Sequence, residues 1–253
     1  MIDIIRAKSA FKEYVEKYNP NDKKVELKIR HIQKVANVAK ELAMSLNLSE
    51  EDVNLAELIG LLHDIGRFEQ IRIYQTFVDT DSINHGKKGV EVLFEDGLIR
   101  KFIEDASYDN IIRLAILNHN RDKIQDGLSD RELLHCKIIR DADKLDIFYE
   151  LTTGDKKAIW EKADLSDDKI SDEIYREFFE DKTIDYKERK SSADILVSHF
   201  AYVYDFNFSS SLQKIKNENY LEKLYNRFKF NDIETSKKFK NIYEEACNYV
   251  ENN

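Results

Sequence analysis

The spacing of apolar and polar residues predicts α-helices along most of the chain. Between about residues 24 and 46, apolar residues recur at steps of three and four, which is the period of one helix face, and His31 lies on that face. The next stretch, VNLAELIGLLHDIG, is apolar nearly all round, as expected of a helix buried on every side. This helix is predicted to end with His63 and Asp64, and Gly66 is predicted to stop it.

The same reasoning predicts helices in the rest of the chain. They are expected near residues 4–18, 87–95, 108–117, 131–151, 171–188 and 191–206, followed by terminal helices rich in Tyr, Phe and Lys. The stretch between Gly66 and residue 87 is predicted to be a polar connection. With 253 residues, one Pro and seven Gly, the chain is predicted to be an all-α protein that forms a single domain over residues 1–253.

Composition and charge narrow the class of protein. The 40 Lys and Arg residues against 49 Asp and Glu give a net charge of −9, which argues against binding a nucleic-acid polymer through a basic surface. Two cysteines, Cys136 and Cys247, make no disulfide framework, so we expect a reducing compartment and read both as inert. No apolar stretch reaches 18 residues and the N-terminus does not resemble a signal peptide, so a cytoplasmic protein without a membrane partner is predicted.

Four of the six histidines lie at predicted buried positions, where a polar imidazole is destabilising unless it has a hydrogen-bond partner or a ligand. His31 interrupts an apolar helix face, His63 ends the most hydrophobic helix, His85 begins a helix and His119 ends another apolar one. Asp64 is adjacent to His63, and a buried carboxylate needs a partner. Asp141, Asp143 and Asp146 interrupt a further helix with an apolar face. Imidazoles and carboxylates that point inward from several helices are what a metal site in a helical bundle requires.

Each of these residues also has a simpler interpretation. A lone buried histidine such as His31 is usually a hydrogen-bonded core residue. The three aspartates of the later helix can form a polar face paired with Lys and Arg. His135 and His199 lack a carboxylate in a comparable setting, so we predict that both are structural.

The order and local sequence of these residues resemble the signature of the HD-domain superfamily, which comprises metal-dependent phosphohydrolases with an all-α core. His31, the pair His63-Asp64 and Asp143 follow one another as in that signature, within the strings LLHDIGR and IIRDADKLD. The resemblance covers roughly residues 20–155 as the core and leaves about 156–253 as a C-terminal helical extension. It implies that these four residues bind one divalent metal ion.

Superfamily members with a dinuclear centre have two further histidines between the HD pair and the last aspartate, and here His85 and His119 lie in that interval. The resemblance therefore implies a second ion bound by these two histidines, with Asp64 bridging. The alternative is a single ion, with His85 and His119 acting on the substrate phosphate or as proton donors. In both arrangements Asp64, His85 and His119 are predicted to be catalytic. The ion, one or two per chain, is Mn, Fe, Ni, Co, Mg or Zn.

The stretch RFEQIRIYQTFVDTDSINHG also resembles an uncharacterised bacterial branch that carries HDIGRFEQ, and this resemblance implies no substrate. The chain lacks the GYP residues of cyclic-di-GMP phosphodiesterases and the acidic pair of guanosine-tetraphosphate hydrolases. Arg67, Gln70 and Lys144 are predicted to bind substrate. Each residue also has a structural interpretation that explains it about as well. These are a surface salt bridge for Arg67, loop capping for Gln70 and an ion pair with Asp146 for Lys144.

The function predicted from these features is hydrolysis of a phosphate monoester or diester, by metal-activated water, in a nucleotide or another small phosphate compound. One alternative is a di-iron oxygenase, because a few superfamily members use the same six ligands for O₂ chemistry. Another is a non-catalytic protein that binds a partner through the aromatic-rich stretches HFAYVYDFNF and YLEKLYNRFKF. The sequence leaves the oligomeric state open.

Overall fold

The computed structural model describes residues 2–160, 162–180, 184 and 186–253, and within these residues it contains helices and no strands, which confirms the predicted all-α class. The chain divides into two compact units, residues 1–146 and 147–253. The prediction of one domain over the whole chain stays a prediction.

The first unit is built from eight helices. They are α1 (Ile4–Val15), α2 (Lys23–Ser45), α3 (Glu50–Leu62), α4 (Gly66–Tyr74), α5 (His85–Val90), α6 (Ile99–Phe102), α7 (Asp109–His119) and α8 (Asp130–Thr153), the last of which continues into the second unit. A π-helical turn, Glu91–Glu95, extends α5.

Helix α3 is the buried central helix that the sequence predicts. Ser49 caps it by accepting a hydrogen bond from the backbone N–H of Asp52, and every residue from Leu55 to Leu62 is buried. Its Gly60 lies against α2 so closely that a Cβ atom would come within 2.6 Å of the Cα of Ala36. This close approach brings His31 of α2 near the end of α3.

The prediction for Gly66 is wrong. Helix α3 ends at Leu62, and Gly66 is the first residue of α4 rather than a helix stop, so the first part of the predicted polar connection is helical. Buried Phe68 anchors α4, with its ring 5.2 to 6.1 Å from three aromatic rings of the N-terminal segment. A Cβ on Gly66 would lie 2.3 Å from the carbonyl oxygen of His85, so glycine is needed here for close packing of α4 on α5.

The second unit contains the remaining helices. They are α9 (Lys156–Trp160), α10 (Asp172–Phe178), α11 (Ser192–Ala201), α12 (Ser209–Asn217), α13 (Tyr220–Tyr225) and α14 (Ile233–Asn252). The helix predicted near 171–188 is shorter than expected, since α10 ends at Phe178; residues 181–183 and 185 of that prediction lie outside the described residues. Most aromatic residues of the two aromatic-rich stretches are buried or partly buried in this unit, including Phe200, Tyr220 and Phe228. They form core rather than a large exposed patch.

No helix in the described part of the chain combines the length and the apolar character needed to cross a membrane.

Candidate metal centre

The six residues predicted as metal ligands lie together in the first unit. They come from different elements: His31 from α2, His63 and Asp64 from the junction of α3 and α4, His85 from the start of α5, His119 from the end of α7, and Asp143 from α8. All but Asp143 are buried. Packing of six helices therefore collects side chains that are up to 112 positions apart in the sequence.

Two of the histidines are oriented by backbone carbonyl groups of their own helices. His63 Nδ1 is 2.7 Å from the carbonyl oxygen of Gly60, and His119 Nδ1 is 2.6 Å from that of Ile116. A carbonyl oxygen can only accept, so Nδ1 carries the proton and donates in both rings. With Nδ1 as the donor, Nε2 is the nitrogen of each ring that is left for a ligand role, and it faces the centre.

The other two histidines are oriented by carboxylates. His31 Nδ1 is 2.7 Å from an oxygen of Asp146, and His85 Nδ1 is 2.7 Å from an oxygen of Asp79. A carboxylate that holds the outer N–H of a ligating imidazole fixes the ring orientation and raises the basicity of the inner nitrogen. Sequence reasoning missed this role for both aspartates. The only signal was their position, since Asp146 is one helical turn beyond Asp143 and Asp79 precedes His85 by six residues.

The two oxygens of Asp64 face different pairs of histidines. Oδ2 is 3.6 Å from His31 Nε2 and 3.7 Å from His63 Nε2, while Oδ1 is 3.4 Å from His85 Nε2 and 3.7 Å from His119 Nε2. Asp64 thus lies between two clusters of nitrogen atoms. Two of the three potential metal-binding groups among the described residues follow this division, because Asp64 occurs with His31 and His63 and again with His85 and His119. The third group, His63, His119 and Asp143, links the two clusters.

Asp143 completes the first cluster. Its Oδ1 is 3.1 Å from His31 Nε2 and 3.9 Å from His63 Nε2. Burial would raise the pKa of Asp143, but its hydrogen bond with His31 and the charges of His31 and His63 together outweigh burial and hold the pKa below its usual range. For His31, burial and Lys28 oppose protonation, yet hydrogen bonds with Asp143 and Asp146 raise the pKa. The first cluster therefore stabilises positive charge.

The first cluster contains buried electron-pair donors that a cation would stabilise. Burial lowers the pKa of His63 to about 3, so its ring is neutral at physiological pH. Burial would raise the pKa of Asp64, but Lys28, His63 and Arg67 hold it well below its usual range. His63 Nε2 and Asp64 Oδ1 are buried and lack a hydrogen-bond partner among the described residues.

The second cluster, formed by His85, His119 and Asp64, would also be stabilised by a cation. His85 Nε2 and His119 Nε2 are 3.0 Å apart, and each ring already uses Nδ1 as its donor. Two lone pairs at this distance repel each other unless a proton or a metal ion lies between them. Buried acceptors without a donor are destabilising, so these side chains fit a group that supplies positive charge.

Comparison with protein-family models gives one result. The model described as the HD domain matches residues 29–147. The chain contains an HD domain. The matched segment includes all six residues of the two clusters, from His31 to Asp143. Comparison with curated proteins and with solved structures gives no match.

Arg67 lies inside the HD domain rather than on its surface. Its Nε is 3.4 Å from Asp64 Oδ1, and its Nη1 donates to Asp79, to the carbonyl oxygen of Phe77 and to the side chain of Gln70. Nε is buried without a hydrogen-bond partner among the described residues. The guanidinium therefore keeps a donor directed into the site.

Gln70 lies beside Arg67 and contacts the loop that carries Asp79. This side chain is fully buried, and its amide nitrogen donates to Asp79, to the Ser82 hydroxyl and to the carbonyl oxygen of Ile83. Its oxygen accepts from Arg67. These contacts match the loop-capping interpretation of Gln70, and its role in substrate binding stays a prediction.

Lys144 is buried on α8 beside Asp143, and its role in substrate binding stays a prediction. Sequence reasoning missed Lys28, whose ammonium group donates to Asp64 Oδ2 at 2.8 Å. The only signal in the sequence was its position three residues before His31, on the same helix face.

The remaining histidines and the cysteines lie outside the two clusters, and His135 has a carboxylate partner that the sequence did not suggest. His135 Nε2 is 3.1 Å from a carboxylate oxygen of Asp52, and His199 Nδ1 accepts a hydrogen bond from the Trp160 indole at 3.1 Å. Both cysteines are free thiols, and burial raises the pKa of Cys136 to about 12. A thiol with this pKa is not a nucleophile at physiological pH.

Proposed function

We propose that the protein is a metal-dependent hydrolase that acts on a phosphate ester bond of a nucleotide or another small phosphate compound. One observation carries the proposal: four imidazole Nε2 atoms and two aspartates converge in an HD domain, and the outer nitrogen of every ring already has an acceptor. The resemblance of the signature to metal-dependent phosphohydrolases supports the reaction class.

In this proposal His31, His63, Asp64 and Asp143 hold one divalent ion. Asp64, His85 and His119 would hold a second, so Asp64 would belong to both ligand sets. Imidazole and carboxylate ligands suit Mn, Fe, Ni, Co, Zn or Mg, and cellular availability decides among them. When bound, the metal supplies a water of lowered pKa and neutralises charge on the phosphate oxygens.

The surroundings of His85 favour a ligand over a proton donor. Burial lowers the pKa of His85, and the hydrogen bond from its Nδ1 to Asp79 only partly opposes this. A neutral ring has no proton on Nε2 to give to a leaving group. The two-ion arrangement is therefore our preferred form of the site, with Arg67 directing its free donor at the phosphate.

The test is a screen of phosphate monoesters, diesters and nucleotides with protein loaded with Mn²⁺, Co²⁺, Ni²⁺ or Fe²⁺. We expect turnover with at least one metal and its loss in Asp64→Ala. The absence of turnover with every metal, or an Asp64→Ala variant as active as the wild type, contradicts the proposal. After anaerobic iron loading, a mixed-valent di-iron signal that changes with a polyol or a phosphonate would point to the oxygenase instead.

A further inference from the structure

Lys28 lies beside the two clusters, but its positively charged side chain cannot serve as a metal ligand. It lies on α2 three residues before His31, so both side chains are on the same helix face. Its ammonium group is 2.8 Å from Asp64 Oδ2, the oxygen that faces the first cluster. With 15% of its side chain exposed, Lys28 also reaches the surface of the site.

Lys28 lies beside Oδ2 of Asp64 and Arg67 lies beside Oδ1, and both side chains lie near the ring of Phe77. The Lys28 ammonium is 5.2 Å from the centre of the Phe77 ring, and the Arg67 guanidinium carbon is 5.8 Å from it. Arg67 also donates to the backbone oxygen of Phe77. A cation over an aromatic face is favoured. The Phe77 ring therefore helps to hold the side chains of Lys28 and Arg67 beside the carboxylate of Asp64.

The charges of these two residues are balanced differently. Arg67 has two carboxylate partners, Asp64 and Asp79, the second at 2.9 Å. For Lys28 the described part of the chain provides only Asp64. If Asp64 binds a divalent ion, its negative charge is shared between that ion and Lys28. The mostly buried ammonium group of Lys28 then lacks a fully available counter-ion. Such a group is costly unless another anion pairs with it.

We propose that Lys28, together with Arg67, binds the phosphate of the substrate beside Asp64, and that this pair favours a dianionic terminal phosphate over a monoanionic phosphodiester. The inference rests on the proposed function and deepens it, because it names the substrate class as phosphate monoesters. An ammonium group has three N–H donors, and one contact with Asp64 leaves the others for phosphate oxygens. A second cation beside the guanidinium favours a dianion over a monoanion through its additional charge.

The experiment measures binding of inorganic phosphate and of dimethyl phosphate to Mn²⁺-loaded protein by calorimetry, at a slightly alkaline pH where inorganic phosphate is a dianion. Wild type is compared with Lys28→Met, Lys28→Arg and Lys23→Met. Lys23 is exposed in the first turn of the same helix and serves as the matched control. The Mn²⁺ affinity of every variant is measured separately.

In Lys28→Met we expect phosphate affinity to fall about 10- to 100-fold, the range for one or more lost charge-assisted hydrogen bonds. Affinity for dimethyl phosphate should fall less, Lys28→Arg should recover part of the loss, and Lys23→Met should match the wild type. Affinity for Mn²⁺ should be equal to or higher than that of the wild type, because Lys28 no longer competes for Asp64. A purely structural role would weaken metal binding as well.

The inference is overturned if Lys28→Met binds phosphate like the wild type, if it loses phosphate and Mn²⁺ affinity together, or if the metal-loaded wild type binds no phosphate. Failure of the proposed function looks different. A protein that binds phosphate through Lys28 but hydrolyses no ester refutes the hydrolase and keeps the anion site. A protein that hydrolyses monoesters with the same KM in wild type and Lys28→Met keeps the hydrolase and refutes this inference.

Discussion

The chemistry of the HD domain depends on which nitrogen of each imidazole carries the proton. All four rings use Nδ1 for an acceptor outside the centre, two of them a backbone carbonyl and two a carboxylate. The carbonyl partners are fixed by their helices. The carboxylates of Asp79 and Asp146 are side chains, so they are the places where a single substitution alters the site without removing a ligand.

Asp79→Asn tests this arrangement. The amide cannot carry the negative charge that makes His85 a better ligand, so we expect affinity for the ion at the second cluster to fall about 10- to 100-fold. Mn²⁺ titration followed by calorimetry measures the change. Asp81→Asn is the matched control, because Asp81 is exposed in the same short turn and contacts none of the six ligands. Equal Mn²⁺ affinity in Asp79→Asn and Asp81→Asn would show that the Asp79–His85 contact does not tune the site.

At the scale of helices, close packing rather than sequence-local preference places the ligands. Helices α4 and α5 approach each other at Gly66, and this contact brings His85 to within 3.4 Å of Asp64. A side chain at Gly66 would collide with backbone atoms that belong to α5 itself. The geometry of the second cluster thus depends on one hydrogen atom in place of a methyl group.

Gly66→Ala is therefore expected to lower the free energy of unfolding by about 1–3 kcal/mol, the usual cost of overpacking, and to weaken metal binding at the second cluster. Gly89→Ala is the control, because a Cβ there meets its nearest neighbour, a methyl group of Ile116, at an ordinary 3.4 Å. Denaturant unfolding and Mn²⁺ titration check both effects. A Gly66→Ala variant as stable as Gly89→Ala would contradict the packing argument.

Helix α3 also contains a buried carboxylate away from the metal centre. Glu57 is 1% exposed and pairs with Lys8 of α1 at 2.6 Å and Lys40 of α2 at 3.0 Å. Burial would raise the pKa of Glu57, but the two lysines outweigh it and lower the pKa below its usual value of 4.5. Because the folded-state pKa is the lower one, the stability that Glu57 contributes is present above the unfolded-state pKa and is lost as the pH falls through the folded-state pKa.

Glu57→Gln is expected to lower the free energy of unfolding by about 1 kcal/mol at neutral pH, a value reduced by the half-exposed position of both lysines. The difference from the wild type should shrink below about pH 4, where the carboxylate of the wild type is protonated in the unfolded chain. Denaturant unfolding across this pH range measures it. A difference that stays constant with pH would show that the charge of Glu57 contributes nothing.

For the whole molecule, periodicity predicted the helices that matter most, because the apolar faces of α2 and α3 are continuous in sequence. His31, His63 and Asp64 were identified for the same reason: each interrupts an apolar surface. Contacts between distant segments were beyond this reasoning. Gly66 looks like a helix stop in sequence, and only its distance to α5 shows why it is a glycine. Lys28 owes its position beside Asp64 to the packing of α2 against α3.

The two compact units give the single-domain prediction a test. Trp160, the only tryptophan, is buried in residues 147–253, while the candidate metal centre lies in residues 1–146. If the chain is one domain, loss of tryptophan fluorescence and release of bound Mn²⁺ should follow the same thermal transition. Two transitions separated in temperature would show that the units unfold independently.

The central claim is that this HD domain holds a divalent metal through the inner nitrogens of four histidines and the carboxylates of Asp64 and Asp143. The most direct test is metal content per chain, measured by mass spectrometry after loading with Mn²⁺ and gel filtration, for the wild type, Asp64→Ala and Asp81→Asn. We predict one or two ions per chain in the wild type and in Asp81→Asn, and far less than one in Asp64→Ala with an unchanged helical circular dichroism spectrum. A wild type that retains no stoichiometric metal, or an Asp64→Ala variant that retains as much as the wild type, would contradict the claim.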